Sequence, residues 1–223
     1  MDAAMDTASY QIQINDQPVT VIETKQLDPQ RSRLLRLKIK SAVDLPETII
    51  VKQKREYEEA NEFQCEKEAY ERLQELQGVV IPIMLGEGLF CGVPALFLSE
   101  VDGKNLHDLA RNSDLDIEMG ALEAELGLSL DAFSKKGAVY WDQRLDNFML
   151  CQSGKVMVID LEHVKFPKTL FPWETTINSA GVSSLLSRFK DTREPNRPST
   201  PVAFWNKTKI GESVPSVSFP ALG

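Results

Sequence analysis

Tyr140-Trp141-Asp142-Gln143-Arg144-Leu145-Asp146-Asn147 is a polar stretch that carries an aspartate and, five residues on, an asparagine. Two short apolar runs follow it, Phe148 to Leu150 and Val156 to Ile159, joined by a turn at Ser153-Gly154. The second run ends on Asp160. A carboxylate directly after Val156-Met157-Val158-Ile159 is costly to bury without a cation. Ordinary structural roles exist for both groups: a turn cap for Asp142, a helix cap or salt bridge for Asp160. Aspartate and asparagine are common in loops, so the pair alone is a weak signal. Its weight comes from what stands upstream.

Upstream to Lys54 the chain reads as β-structure. Val19, Val21 and Thr24 lie in one strand-like run, and Leu35, Leu37 and Ile39 alternate with Arg36, Lys38 and Lys40 in another. Thr48-Ile49-Ile50-Val51-Lys52 is a third, set off by Asp44 and Pro46. Glu56 to Gln77 reads as a helix stopped by Gly78, with Phe63, Tyr70, Leu73 and Leu76 in its apolar stripe. Glu66 falls inside that stripe, three residues after Phe63 and four before Tyr70. A carboxylate on a buried helix face needs a cation, and Lys52 is the candidate.

Val79 to Leu85 and Ala95 to Leu98 read as two further strands around a Gly-rich turn. Glu100-Val101-Asp102-Gly103 then connects to a short helix near Leu106 to Ala110. A long helix follows over about Asp116 to Lys136, with Lys135 and Lys136 suiting its C-terminus and Gly137 its cap. After Phe166 prolines punctuate the chain and leave one helix, near Asn178 to Phe189.

The 223 residues suffice for one large domain or two small lobes sharing a cleft. A net charge of −8 argues against a general binder of nucleic acid or anionic membrane. Cys65, Cys91 and Cys151 are odd in number and widely spaced, which suits a reducing compartment. The N-terminus lacks a signal-peptide pattern, and no apolar run is long enough to cross a bilayer. The expected setting is cytoplasmic, with the nucleus left open. His107 and His163 have no metal-ligand spacing, and Trp141, Trp173 and Trp205 read as packing residues.

The order of these features over residues 17–166 resembles the protein-kinase-like superfamily, closest to its atypical fungal and aminoglycoside-phosphotransferase-like branches. The resemblance implies an α+β, two-lobed fold with a β-rich N-lobe and a mainly helical, truncated C-lobe. It divides the chain into a partly disordered segment 1–16, an N-lobe over 17–99, a short C-lobe over 100–190 and a Pro-rich tail over 191–223. It implies ATP as nucleotide, Mg²⁺ as metal, and an acceptor hydroxyl on a protein or small molecule. Lys52 would offset phosphate charge with Glu66 as its partner, and Asp142 would orient or deprotonate the hydroxyl. Asn147 and Asp160 would hold metal, while Arg31, Ser32 and Glu100, together with Lys52, would contact nucleotide.

Three departures bear on activity. Leu27-Asp28-Pro29-Gln30-Arg31-Ser32-Arg33-Leu34-Leu35 occupies the place of the glycine-rich phosphate loop and has no glycine. Arg31, Ser32 and Arg33 could compensate with charge-assisted contacts. Tyr140 replaces the loop histidine, and Asp160-Leu161-Glu162 replaces Asp-Phe-Gly, like the Asp-Phe-Glu of small-molecule and fungal members. A pseudokinase that binds nucleotide or a partner without turnover is the alternative. A protein that meets the pattern by accident would lack convergence of Lys52, Glu66 and Asp160.

Overall fold

The computed structural model describes residues 9–27, 33–41, 44–55, 62–112 and 115–194. Six antiparallel strands form the first layer: β1 (Tyr10–Ile14), β2 (Gln17–Gln26), β3 (Leu34–Ser41), β4 (Thr48–Gln53), β5 (Met84–Phe90) and β6 (Val93–Ser99). Their order in the sheet is β1-β2-β3-β4-β6-β5. Helix α1 (Glu62–Arg72) lies between β4 and β5 in the chain.

The period-2 alternation of the strands gives the sheet two apolar faces. Ile49 and Val51 of β4, with Ala95 and Phe97 of β6, join Ile12, Ile14, Val19, Val21, Leu37 and Ile39 in one buried cluster. Their alternates, Ile50, Leu96 and Leu98, pack on a second cluster with Tyr70 and Leu73 of the α1 region. Lys52, two residues after Ile50, shares its face, and in register it pairs with Leu96. The strand pattern therefore turns Lys52 toward the helix, where it is buried.

The second layer is mainly helical: α2 (Leu106–Arg111), α3 (Met119–Lys135) and α4 (Ile177–Arg193). Asn105 caps α2 by accepting from the Asp108 N–H at 2.8 Å. Glu118 caps α3 by accepting from the Gly120 N–H at 2.9 Å and from that of Ala121. Short strands run along these helices: β7 (Gly103–Asn105), β8 (Val139–Tyr140), β9 (Phe148–Cys151), β10 (Val156–Val158) and β11 (Val164–Lys165). β7, β9 and β10 form one small sheet, and β8 pairs with β11. No helix among the described residues is long and apolar enough to cross a membrane.

Several elements differ from the sequence expectation. Val79 to Ile81 is a turn, because the N–H groups of Val79, Val80 and Ile81 all donate to the Leu76 carbonyl. The strand begins at Met84 and runs through Gly86 and Gly88, where a turn was expected. The α1 helix stops at Arg72, and Gln74–Leu76 tightens into a 3₁₀ turn. The expected helix start at Glu56, the segment 1–8 and the tail from 195 lie outside the described residues.

β1, within the segment expected to be partly disordered, closes the sheet against β5. At the β1–β2 turn Asn15 has a left-handed φ of 49°. Its backbone N–H donates to the Glu87 carbonyl at 3.0 Å, its Nδ2 to the Leu85 carbonyl at 3.1 Å, and its Oδ1 accepts from the Glu87 N–H at 3.0 Å. Any Cβ at Gly88 would overlap the Gln13 carbonyl, so β1 approaches β5 as closely as glycine permits. Replacing Asn15 by Ala removes two side-chain hydrogen bonds and strains the turn. The expected loss is about 1–2 kcal/mol in urea unfolding. Asn15→Gly, which relieves the backbone strain, should lose less than Asn15→Ala.

Candidate active site

Lys52 is the hub. Its Nζ lies 2.7 Å from each Glu66 oxygen, donating a hydrogen bond to Oε1. It stands 2.9 Å from Asp160 Oδ1 and 3.0 Å from Glu162 Oε1. Glu66 comes from α1, and Asp160 and Glu162 from the turn after β10. The carboxylate anticipated on the buried helix face thus meets the anticipated lysine. Leu161, between the two acids, is buried in the core that Tyr70 and Tyr140 share, which pins the turn. Its N–H donates weakly to Glu66 Oε1 at 3.4 Å.

Three carboxylates around one ammonium shape the electrostatics. Burial works against the Lys52 charge, yet Glu66, Asp160 and Glu162 together hold its pKa above the ordinary value. Burial pushes the Glu66 carboxyl up to about 7, only partly opposed by Lys52. Burial also acts to raise Asp160 and Glu162, but the charge of Lys52 outweighs it and holds both below their ordinary values. Arg33 assists at both.

Asp142 leaves β8 and is held by Asn147 from the 3₁₀ turn Leu145–Asn147. Asn147 Nδ2 donates to the Asp142 carbonyl and to its Oδ2, each at 2.8 Å. The Asn147 carbonyl accepts from the Ile159 N–H at 3.0 Å, which ties this loop to the residue preceding Asp160. Asn147 Oδ1 is buried and has no hydrogen-bond partner among the described residues. A buried amide oxygen left this way calls for a ligand. With the Asp160 carboxylate it offers the hard oxygen donors that Mg²⁺ takes, so the residues fit that ion by donor type.

The loop rests on neutral groups that the sequence did not single out. Asn178 of α4 is buried. Its Oδ1 accepts from the Tyr140 N–H at 3.0 Å, and its Nδ2 donates to Ala138 O and Ser134 Oγ at 2.9 Å. Gln143 Nε2 donates to the Tyr140 carbonyl at 2.8 Å, in a niche open only because residue 181 is glycine: a Cβ there would overlap the Gln143 amide. Tyr140 stacks on Phe133 and meets Phe148 edge-on, with centroids 5.6 and 5.8 Å apart. Arg144 grips Asp146 and stands 3.8 Å from Asp142.

Of the remaining expected residues, Glu100 follows β6 and is gripped by Arg36 of β3 at 2.7 and 3.0 Å, an arrangement that fixes the connector to the sheet. Arg31 and Ser32 lie outside the described residues. Glu162 and Arg55 join the site without having been assigned a role there, and Arg33, expected to make charge-assisted phosphate contacts, joins it on Glu162. Arg33 Nη1 lies 2.8 Å from Glu162 Oε1 and Arg55 Nη2 lies 3.5 Å from its Oε2.

Because the Glu66 carboxyl is raised from 4.5 to about 7, the folded state binds its proton more tightly than the unfolded chain. Glu66 therefore contributes stability below pH 4.5 that is lost as pH rises through 7, on the order of 3 kcal/mol. Asp160 and Glu162, both lowered, act in the opposite sense and at lower pH. Urea unfolding between pH 5 and 8 should show this decline, and Glu66→Gln should flatten it.

Neither a family model nor a curated protein sequence matches the chain. Solved structures do. The PknI kinase domain of Mycobacterium tuberculosis, in a singly substituted form, superposes with a TM-score of 0.59 at 13% identity, covering 87% of this chain and 80% of that one. A doubly substituted form gives a TM-score of 0.58 at 14% identity, covering 80% of this chain and 77% of that one. The chain has a protein-kinase-like fold, α+β, with a β-rich N-lobe and a short helical C-lobe.

Proposed function

We propose that the chain is an ATP- and Mg²⁺-dependent phosphotransferase that moves the γ-phosphoryl group to a hydroxyl of a protein or small-molecule acceptor. The observation that carries this reading is the convergence of Lys52, Glu66 and Asp160 within 3.0 Å of one ammonium, alongside the linked Asp142 and Asn147. A chance match would scatter these groups. Lys52, kept cationic, is suited to hold nucleotide phosphates, with Glu66 fixing its position. Asp142 is suited to accept the hydroxyl proton or orient the hydroxyl. Asn147 and Asp160 would hold Mg²⁺, which when bound neutralises phosphate charge. Arg31, Ser32 and Glu100 belong to the nucleotide side of this reading.

The Asp160-Leu161-Glu162 triplet and the few helices of the C-lobe support a place near the fungal and aminoglycoside-phosphotransferase-like branches. We set the lobe boundary between residues 99 and 100, and the tail, expected from 191, after α4 ends at Arg193. The free Cys65, Cys91 and Cys151 support a cytoplasmic setting. Net charge supports partners that are neither nucleic acid nor membrane.

One observation favours a pseudokinase instead: Glu162 takes part of the lysine that phosphates would need. The two readings separate on turnover. Asp142→Asn should cut phosphoryl release or transfer from ATP by about a hundredfold or more while leaving ATP binding in place. Asp160→Asn should abolish the Mg²⁺-dependent part of the ATP-induced rise in Tm. An ATP-induced rise with no turnover sensitive to Asp142 would establish the pseudokinase.

A further inference from the structure

Glu162 sits where three cations meet. Its Oε1 is shared by Arg33 Nη1 at 2.8 Å and Lys52 Nζ at 3.0 Å, and its Oε2 faces Arg55 Nη2 at 3.5 Å. The side chain is 3% exposed, so these partners rather than water compensate its charge. The cations come from separate places on one sheet: Arg33 just before β3, Lys52 within β4, and Arg55 two residues beyond β4. Gln53 N–H donates to the Arg33 carbonyl at 3.0 Å, so the sheet itself holds these stretches side by side.

Planar guanidinium groups and an ammonium around one buried oxyanion are the usual surroundings of a phosphate group. A carboxylate carries one charge, whereas terminal nucleotide phosphates carry several. Arg33 also closes the segment Leu27 to Arg33, where backbone N–H groups of a glycine-rich loop would otherwise receive phosphate.

We propose that Arg33, Arg55 and Lys52 form a phosphate subsite for the terminal phosphates of a nucleoside triphosphate, and that the Glu162 carboxylate fills this subsite as an internal stand-in until nucleotide displaces it. The inference rests on the phosphotransferase reading and adds two things to it. Side-chain cations replace the missing glycines. The chain also competes with its own ligand, which makes nucleotide binding weak until Glu162 swings away.

The test is calorimetric titration of the full chain with ATP, ADP, AMP and inorganic tripolyphosphate, each with and without Mg²⁺. Glu162→Gln and Glu162→Ala, which remove the charge in different ways, should each bind ATP and tripolyphosphate about tenfold tighter or more. AMP binding should be unchanged. Arg33→Gln and Arg55→Gln should each weaken ATP and tripolyphosphate by a similar factor, again sparing AMP. Circular dichroism confirms that each variant is folded. If the Glu162 variants bind ATP no better than wild type, or lose Mg²⁺-dependent binding, the stand-in idea is wrong while nucleotide binding survives. A gain for tripolyphosphate without one for ATP would make the subsite one for inorganic polyphosphate and overturn the nucleotide assignment. Failure of every folded variant and the wild type to bind any nucleotide overturns both readings together.

Discussion

A single buried ammonium sets the architecture. Lys52 cannot lie under the sheet without anions, and the anions arrive from elements distant in sequence: Glu66 from α1, Asp160 and Glu162 from the turn after β10. Removing Lys52 would leave three carboxylates crowded together in a nearly dry place, which is far costlier than losing a surface pair. The register of β4, the docking of α1 and the end point of β10 are thereby made interdependent. The layer of strands and the layer of helices meet through this charge as well as through the apolar contacts of Tyr70, Leu161 and Tyr140.

The neighbouring loop is built on another principle. Asp142 and Asn147 are placed by amides and backbone groups, with Asn178 and Gln143 tying the strand before the loop to α3 and α4. Neutral hydrogen bonds fix direction without adding charge, so the field of the site is set by the Lys52 cluster and by the Asp142, Arg144 and Asp146 charges beside it. The buried hydroxyl of Tyr70 has no hydrogen-bond partner among the described residues, while that of Tyr140 has the Asn147 side chain beside it, and both lie close enough to the acids to feel them. Burial, with Glu66 and Asp160 nearby, holds both phenols well above their ordinary pKa, so they stay neutral beside the charges.

What the sequence revealed follows from which forces are local. The alternation in Leu35-Leu37-Ile39 and in Thr48 to Lys52 gave strands because a two-faced sheet demands it, and Glu66 stood out because an acid in an apolar stripe breaks a strong rule. Asp-x4-Asn and the strand-ending Asp160 gained meaning only from their order. Val79 to Ile81 misled because a short apolar run in a partly buried turn and one in a strand look alike in composition; the hydrogen bonds to Leu76 decide between them. Asn178 and Arg55 gave no signal, since each acts on a residue far away in the chain. Glu162 was visible as a motif letter, while its grip on Lys52 and Arg33 depends on how the turn after β10 folds back.

The closure of β1 onto β5 also governs association between molecules. β5 is an end strand, and an end strand exposes a ladder of unpaired N–H and C=O groups that invites another chain to add itself. Here the Leu85 carbonyl and both backbone groups of Glu87 are already taken by Asn15. One turn residue thus caps the rim that a foreign strand would extend, and gives the β-rich lobe a built-in guard against edge-to-edge aggregation.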